Sequence, residues 1–527
     1  MIRIRNFFKF LCPVLLSLSI MHPVMANPDQ PSPKPQEPLH IGWATCDTTP
    51  PELPVSMAGQ FHVRLSEGVE NPLSGTALVL SSGEEAVAFL SVDLISISNE
   101  LRDDFRKALV EILPGLDPRK VILNATHSHA APEVRNLLTM AGGTSPDVQS
   151  NAVDGFPSAA MSVSECRNHL AVTLARCAAD AWRARKPGKV AFGMDYAVVG
   201  RNRRWVDKDG KSHMYGLTTP EDREIFRNIE GCEDHSLNLL ATYDAAGTLT
   251  GVIVNIPSPS QESELSFLLS PDFWHETRKE LAGRLGPHVY LLPQCSAAGD
   301  ITSHLIHENA AHERMLELRG QSQKEDIARK IVDSVARILP AIEGTAESAP
   351  VLRHEIAVLD LPATKVSSSQ AEEAEAAARN SRSRYDEEVQ KLKDNPDLKS
   401  DPRWYLAPTK AFRRASWHQE VKLRYDRQQR GEGLTVPVEC HFVRLGDVAF
   451  ATNPFEYFLD FGTQIKLRSP FIQTFLVQLA GGGSYVPSPR SVAGGGYGAV
   501  PASNPVGPEG GQVLADETVE RLKSLSH

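Results

Sequence analysis

The sequence predicts an α/β fold of mixed β-sheets with flanking helices, and three observations predict it. Short apolar runs of strand length alternate with segments whose apolar residues recur at helical spacing. Several of these runs pair around Gly-containing turns, as hairpins do. Four strand-like runs end in loops rich in glycine and polar groups, and open α/β sheets place ligands at such strand ends.

Each element has its own signal. Thr76 to Ile97 holds two apolar runs around Ser81-Ser82-Gly83-Glu84, a predicted hairpin. Glu100 to Leu113 carries Leu101, Phe105, Leu109 and Ile112 at helical spacing. Lys120 to Ala125 is a predicted strand. Glu165 to Arg185 is a long helix with Leu170, Leu174, Cys177, Ala178 and Trp182 on one side. Ser236 to Ile256 is a hairpin turning at Ala245-Ala246-Gly247. Asp272 to Leu285 is a helix announced by Ser270-Pro271-Asp272. Val289 to Leu292 is a strand. Val436 to Asn453 is a hairpin turning at Leu445-Gly446-Asp447, Ile472 to Leu479 a last buried strand, and Asp516 to Leu525 a closing helix.

Residues 367–430 stand apart. They are strongly charged, helix-forming around Glu372 to Arg379, and broken by prolines between Asn395 and Pro402. An inserted helical hairpin is expected, as a lid, an oligomer contact or a solvated excursion. No internal repeat is present.

The start of the chain reads as a signal peptide over residues 1–26. Arg3, Arg5 and Lys9 precede an apolar stretch from Phe10 to Met21, and Val24-Met25-Ala26 offers a cleavage site. The stretch is short against the roughly 20 residues of a membrane span, and Pro13 interrupts it. An exported, secreted or periplasmic, chain is expected, with a flexible lead-in over 27–38, one domain over 39–527 and no integral membrane segment. Cleavage removes three basic and no acidic residues, taking the formal net charge from -10 to about -13. That disfavours nucleic acid and anionic membranes as generic partners. Cys46, Cys166, Cys177, Cys232, Cys295 and Cys440 form no C-x-x-C pair, so a zinc ribbon is absent.

The chemistry concentrates in four loops. Thr126-His127-Ser128-His129 follows the run Val121-Ile122-Leu123, and two imidazoles there suggest a metal ligand with a polar second partner. Gly299-Asp300-Ile301-Thr302-Ser303-His304 follows the next buried strand. Its hydroxyls can serve as nucleophile, relay or oxyanion donor, or form an ordinary turn. Asn453-Pro454-Phe455-Glu456 offers a carboxylate, as a metal ligand or as a first-turn residue of a helix over Phe455 to Phe461. Gly481 to Pro487 and Gly494 to Gly498 let backbone approach a ligand but lack the P-loop pattern.

Together these loops resemble the neutral, alkaline non-lysosomal ceramidase family, exported zinc amidases. Ile41 to Pro51 is similar to its G-x-A-x-x-D-I-T-P-P start. Asn124 to Pro132 is similar to T-H-T-H-S-G-P, Gly299 to Ser303 to G-D-V-S-P, and Asn453 to Glu456 to V-P-G-E. The resemblance covers the family's catalytic domain and implies an N-acyl amidohydrolase with one Zn²⁺ per chain and a small-molecule or lipid substrate as its partner. It implies His127 and Glu456 as zinc ligands, His129 at the substrate carbonyl, and Thr302, with Ser303 beside it, in place of the family's essential Ser. Asp300 and Arg203 are the expected substrate-binding residues.

Two family ligands have no counterpart. No histidine follows the strand Gly251 to Asn255, and His275, His235 and His304 are the candidate replacements. Gly482 or Gly483 stands where the family has its zinc Tyr, with Tyr485 and Tyr497 as substitutes. The expected metal set is therefore His127, Glu456, His275 and Tyr485. A hydrolase of the same fold acting on a glycan or other exported substrate, and a metal-free binding protein, are the alternative readings.

Overall fold

A computed structural model describes residues 37–138, 144–145, 153–215, 217 and 219–527. The expected signal peptide and residues 27–36 of the lead-in lie outside them. Eight strands form one sheet: β1 (His40–Asp47), β2 (Ser74–Ser82), β3 (Glu85–Val92), β4 (Val121–Ala125), β5 (Lys186–Tyr196), β6 (Ser236–Asp244), β7 (Leu249–Ile256) and β8 (Tyr290–Cys295). Their spatial order is β8-β7-β6-β5-β1-β2-β3-β4. A second sheet holds β9 (Leu352–Pro362), β10 (Thr435–Leu445), β11 (Val448–Thr452) and β12 (Gln473–Val477) in sequence order. The principal helices are α1 (Asn99–Ile112), α2 (Val163–Arg183), α3 (Phe273–Leu285), α4 (Gln323–Ile342), α5 (Ser368–Asp394), α6 (Leu406–Gln429), α7 (Leu459–Arg468) and α8 (Pro508–Ser526).

The layers follow from period-2 alternation. Along β2, Ala77 and Val79 face α1 and α2, while Leu78 and Leu80 face the second sheet. Phe89, Phe450 and Phe475 fill the space between the sheets, with ring centroids 4.7 Å and 4.5 Å apart. Helices α3 and α4 cover the β6–β8 end of the first sheet, and α7 and α8 cover the second. The result is helix, sheet, sheet, helix.

Three pairs in these sheets run parallel: β3 with β4, β7 with β8, and β11 with β12. A parallel pair needs a crossover, and α1, α3 and α7 supply them in turn. Ser98 caps α1 by accepting from Leu101 N, and Leu101, Phe105 and Leu109 bury at the predicted spacing. The carboxyl ends of these pairs meet. Ala125 N donates to Leu479 O (3.3 Å), and Gln478 N to Cys295 O (3.0 Å).

The insertion is a helical hairpin of α5 and α6. Ser367 and Gln370 form a capping box at its start. Tyr405 packs with Val63 and Leu65 of the main body, so the hairpin is docked and is not a solvated excursion. The closing helix begins at Pro508, earlier than its apolar pattern predicts. Helix α7 begins at Leu459, which leaves Glu456 outside it. The six cysteines among the described residues are free. Among the described residues, no helix is long and apolar enough to cross a membrane.

Phe450 is fully buried between the sheets. Phe450→Ala is expected to cost about 3–5 kcal/mol, read as a lower midpoint of chemical unfolding. Leu467→Ala, at a position 80% exposed, is expected to stay within about 0.5 kcal/mol.

Candidate active site

The site is built where the parallel strands end. His127 leaves β4 with a φ of 62°, a left-handed conformation that is uncommon outside glycine and clusters at functional sites. Its Nδ1 lies 2.6 Å from Ile95 O, just past the end of β3. A carbonyl accepts, so Nδ1 carries the proton. That leaves Nε2 aimed at Glu456 Oε2, 3.3 Å away, and at His129 Nε2, 3.4 Å away.

Glu456 arrives from the second sheet. A short parallel pairing sets Glu456 and Tyr457 beside Tyr485 and Val486. Gly299 allows the β8 loop to reach this strand, because a Cβ there would lie 2.4 Å from Glu456 O. Burial alone would raise the Glu456 carboxyl. A proton carried on His127 Nε2 towards this carboxylate, together with Arg203 and Tyr485, overcomes it and holds the group below the usual carboxylate range. Burial, with Glu456 beside it, pushes the Tyr485 phenol well above its ordinary range, so its hydroxyl keeps its proton.

Arg203 is 1% exposed. It donates to Tyr215 Oη (2.7 Å), Gly299 O (2.9 Å) and Tyr485 Oη (3.3 Å), and lies 3.7 Å from Glu456 Oε2. It is thus a fixed cation beside the carboxylate. On the other flank, Thr302 donates to Gln261 Oε1 (3.0 Å). The Gln261 amide then points at Tyr215 Oη (2.8 Å) and His129 Nε2 (3.2 Å). Burial, then the neighbouring His127 and Arg203, lowers His129 well below its ordinary value, so it is neutral at pH 7.

His127, His129, Arg203, Glu456 and Tyr485 all line one cavity of about 600 Å³. Other predicted residues do not. Thr302 and Ser303 are buried but do not line it. A two-residue strand pairing, Arg201 opposite Thr302 and Asn202 opposite Ile301, locks this segment into the wall. Thr302 thus stands in the wall, where its hydroxyl donates to Gln261. Asp300 does not line the cavity. It accepts from Leu459 N (2.9 Å) and Asn202 Nδ2 (3.0 Å), and its carbonyl accepts from Arg203 N.

His275 does not join His127 and Glu456 in the cavity. The first turn of α3 places it among Glu276, Arg278, Lys279 and Glu70, off the cavity. His235 pairs with Glu233 at 3.1 Å, and His304 contacts Gln261 O at 3.0 Å behind the His129 wall. Tyr497 does line the cavity, with its ring 5.4 Å from that of Tyr485.

Sequence reasoning missed Tyr215, Gln261 and the α6 residues of the cavity. Tyr215 has a φ of 64°, a strain visible only in the fold. Gln261 stands in the histidine-free segment after the strand Gly251 to Asn255.

No protein-family model matches the chain. Among solved structures, it is similar to the neutral ceramidase from Pseudomonas aeruginosa, with a TM-score of 0.63 at 15% sequence identity. That match covers 93% of this chain and 74% of the other. The chain has the ceramidase fold. A ceramidase complexed with C2 matches with a TM-score of 0.60 at 14% identity, over 93% of this chain and 75% of that one.

The ceramidase-fold site can be tested for a metal by its donor chemistry. A hydrolytic zinc takes three protein ligands, and a ligating His donates its other ring N–H to a carbonyl or carboxylate. His127 meets the second condition through Ile95 O, and its Nε2 faces a carboxylate 3.3 Å away, a gap that a proton or a metal cation can occupy. Among the described residues no group of three His, Cys, Asp or Glu is arranged to hold a metal, and the oxygen beside this pair is the Tyr485 hydroxyl, which hydrogen-bonds Glu456.

Burial pushes the Asp300 carboxyl up to about 6, against an ordinary value of about 3.9. Between these values the fold keeps the proton that the unfolded chain has lost. The contribution to stability is thus complete below about pH 4 and is lost as pH rises through 6. Asp300→Asn is expected to remove a slope on the order of 3 kcal/mol across this window. Thermal unfolding of both proteins from pH 4 to 8 measures it; parallel curves would contradict it.

Proposed function

We propose that the protein hydrolyses an N-acyl amide bond, in ceramide or a related acyl amide, as an exported zinc enzyme. The observation that carries this reading is the facing of His127 Nε2 and Glu456 Oε2 at 3.3 Å at the base of a cavity, with the His127 proton held on Nδ1. The amidase class comes from the ceramidase fold, and export rests on the leader-like segment 1–26.

Zn²⁺ would be held by His127, Glu456 and the Tyr485 hydroxyl, and when bound supplies polarisation of the carbonyl and an acidified water. The chain's own residues do the rest. Arg203, fixed by Gly299 O and Tyr215 Oη, sets a positive charge where the amide oxygen becomes an oxyanion. His129 is neutral, and its Nε2 takes the proton of the attacking water in exchange for its 3.2 Å contact with Gln261. Thr302 holds Gln261, and so the His129 ring, in place. The buried walls exclude bulk water, which strengthens these interactions.

A second reading has its own observation. Arg203 already stands 3.7 Å from Glu456 Oε2 and can supply the positive charge without a metal. Metal content and activity separate the two. Purified protein is expected to hold about one zinc per chain, lost in His127→Ala together with hydrolysis of N-acylsphingosine and other N-acyl amides. Full activity in zinc-free protein would transfer the electrostatic role to Arg203, and no hydrolysis of any acyl amide would refute the amidase reading. Arg203→Lys is expected to lower kcat by about 10²-fold or more, because a point charge cannot keep the Gly299 and Tyr215 contacts together.

A further inference from the structure

The mouth of the cavity carries charge that the proposed reaction does not use. Arg135, Arg203, Arg413 and Arg414 line the cavity against two carboxylates, Glu264 and Glu456. Arg203 is matched to Glu456. Arg135 is matched to Glu133 behind the wall, through contacts of 2.8 Å and 2.7 Å. Arg413 and Arg414, both from α6 of the inserted hairpin, have no carboxylate of their own among the described residues. Arg413 donates through one terminal nitrogen to Gln60 O (2.9 Å) and His62 O (3.3 Å). Its Nε and its other terminal nitrogen are buried without a partner among the described residues.

An unpaired buried guanidinium is costly, and donors left unmade are costlier than donors never buried. The cost is offset when a ligand brings an oxyanion, since guanidinium binds carboxylate and phosphate with two parallel hydrogen bonds. Beside these arginines, Phe61, Trp417 and Tyr497 form an aromatic cluster, with centroids 5.3 to 6.0 Å apart. Arg414 lies over the Phe61 ring at 5.5 Å. Apolar surface and unmatched positive charge thus share one rim, above the amide-cleaving base.

We propose that the substrate is an anionic acyl amide, whose carboxylate, phosphate or sulfate is held by Arg413 and Arg414 while its apolar part lies on Phe61, Trp417 and Tyr497. This rests on the amidase reading for the reacting bond, and it makes the inserted hairpin the part of the protein that selects the substrate. A neutral acyl amide fills the same aromatic rim but leaves the Arg413 donors unmade.

Calorimetric titration of the full chain with three probes tests this: N-dodecanoylglycine, N-dodecanoylethanolamine phosphate and neutral N-dodecanoylethanolamine. At least one anionic probe is expected to bind at least about tenfold tighter than the neutral one, with the preference reduced by added salt. The tighter of the two anions assigns carboxylate or phosphate chemistry. Arg413→Gln is expected to remove the preference, and Arg413→Lys to restore part of it. Should Arg413→Gln not fold, Arg414→Gln at its exposed position is expected to narrow the preference. Equal or tighter binding of the neutral probe, no binding of any probe, or a preference untouched by these variants would overturn the proposal. Hydrolysis of the same probes keeps the two readings apart. Cleavage without preference for charge sinks this inference and keeps the amidase, whereas anion-selective binding without cleavage does the reverse.

Discussion

The hydrogen bond between His127 Nδ1 and Ile95 O, 2.6 Å long, is the constraint on which the site depends. It spends the ring proton on the backbone and turns the remaining nitrogen toward a carboxylate. The bond exists because β3 and β4 are parallel neighbours, so their carboxyl ends emerge together. The left-handed backbone at His127 is the strain accepted to aim the ring. Glu456 arrives by the same logic in the other sheet, from the end of β11 beside the β12 loop. Two sheets packed through Phe89, Phe450 and Phe475 thereby bring two sets of strand ends to one place. The chemistry is a product of topology more than of any one loop.

The electrostatics of the site are held in tension. Burial raises the cost of every charge, and the arrangement answers it with pairing: Glu456 with Arg203 and Tyr485, Arg135 with Glu133. Asp300 shows the cost directly, since its carboxyl is pushed up even while accepting two hydrogen bonds. It is kept because it ties the β8 loop to the start of α7 and to the Arg203 segment. At the mouth the pairing stops, and Arg413, which lines the cavity, keeps two buried donors without a partner among the described residues.

Much of this was legible in the chain. His127 and Glu456 were recognisable because each closely follows a short, wholly buried strand, and the two hairpins around β2–β3 and β6–β7 announced themselves by their turns. Other parts were not. His275 stood close in sequence to the missing ligand, but the α3 start at Asp272 turns it away, a fact of three-dimensional direction that spacing does not carry. Gln261 and Tyr215 reach His129 only through tertiary closure. Strand β5 opens with Lys186-Pro187-Gly188 and reads as a loop. Helix α4 does announce itself, by the capping box that Ser322 and Glu325 form at its start. The cavity residues of α6 were hidden because a charged helix reads as solvated until its docking is seen.

The most direct test of the account is the proton on His127. Nitrogen-15 spectra of labelled imidazoles, assigned with His127→Ala, report which ring nitrogen carries it, in the presence and absence of zinc. The account predicts a proton on Nδ1 in both states, with only Nε2 responding to zinc. A neutral ring protonated on Nε2 would contradict it, because that nitrogen would then be donating to Glu456 and closed to any metal.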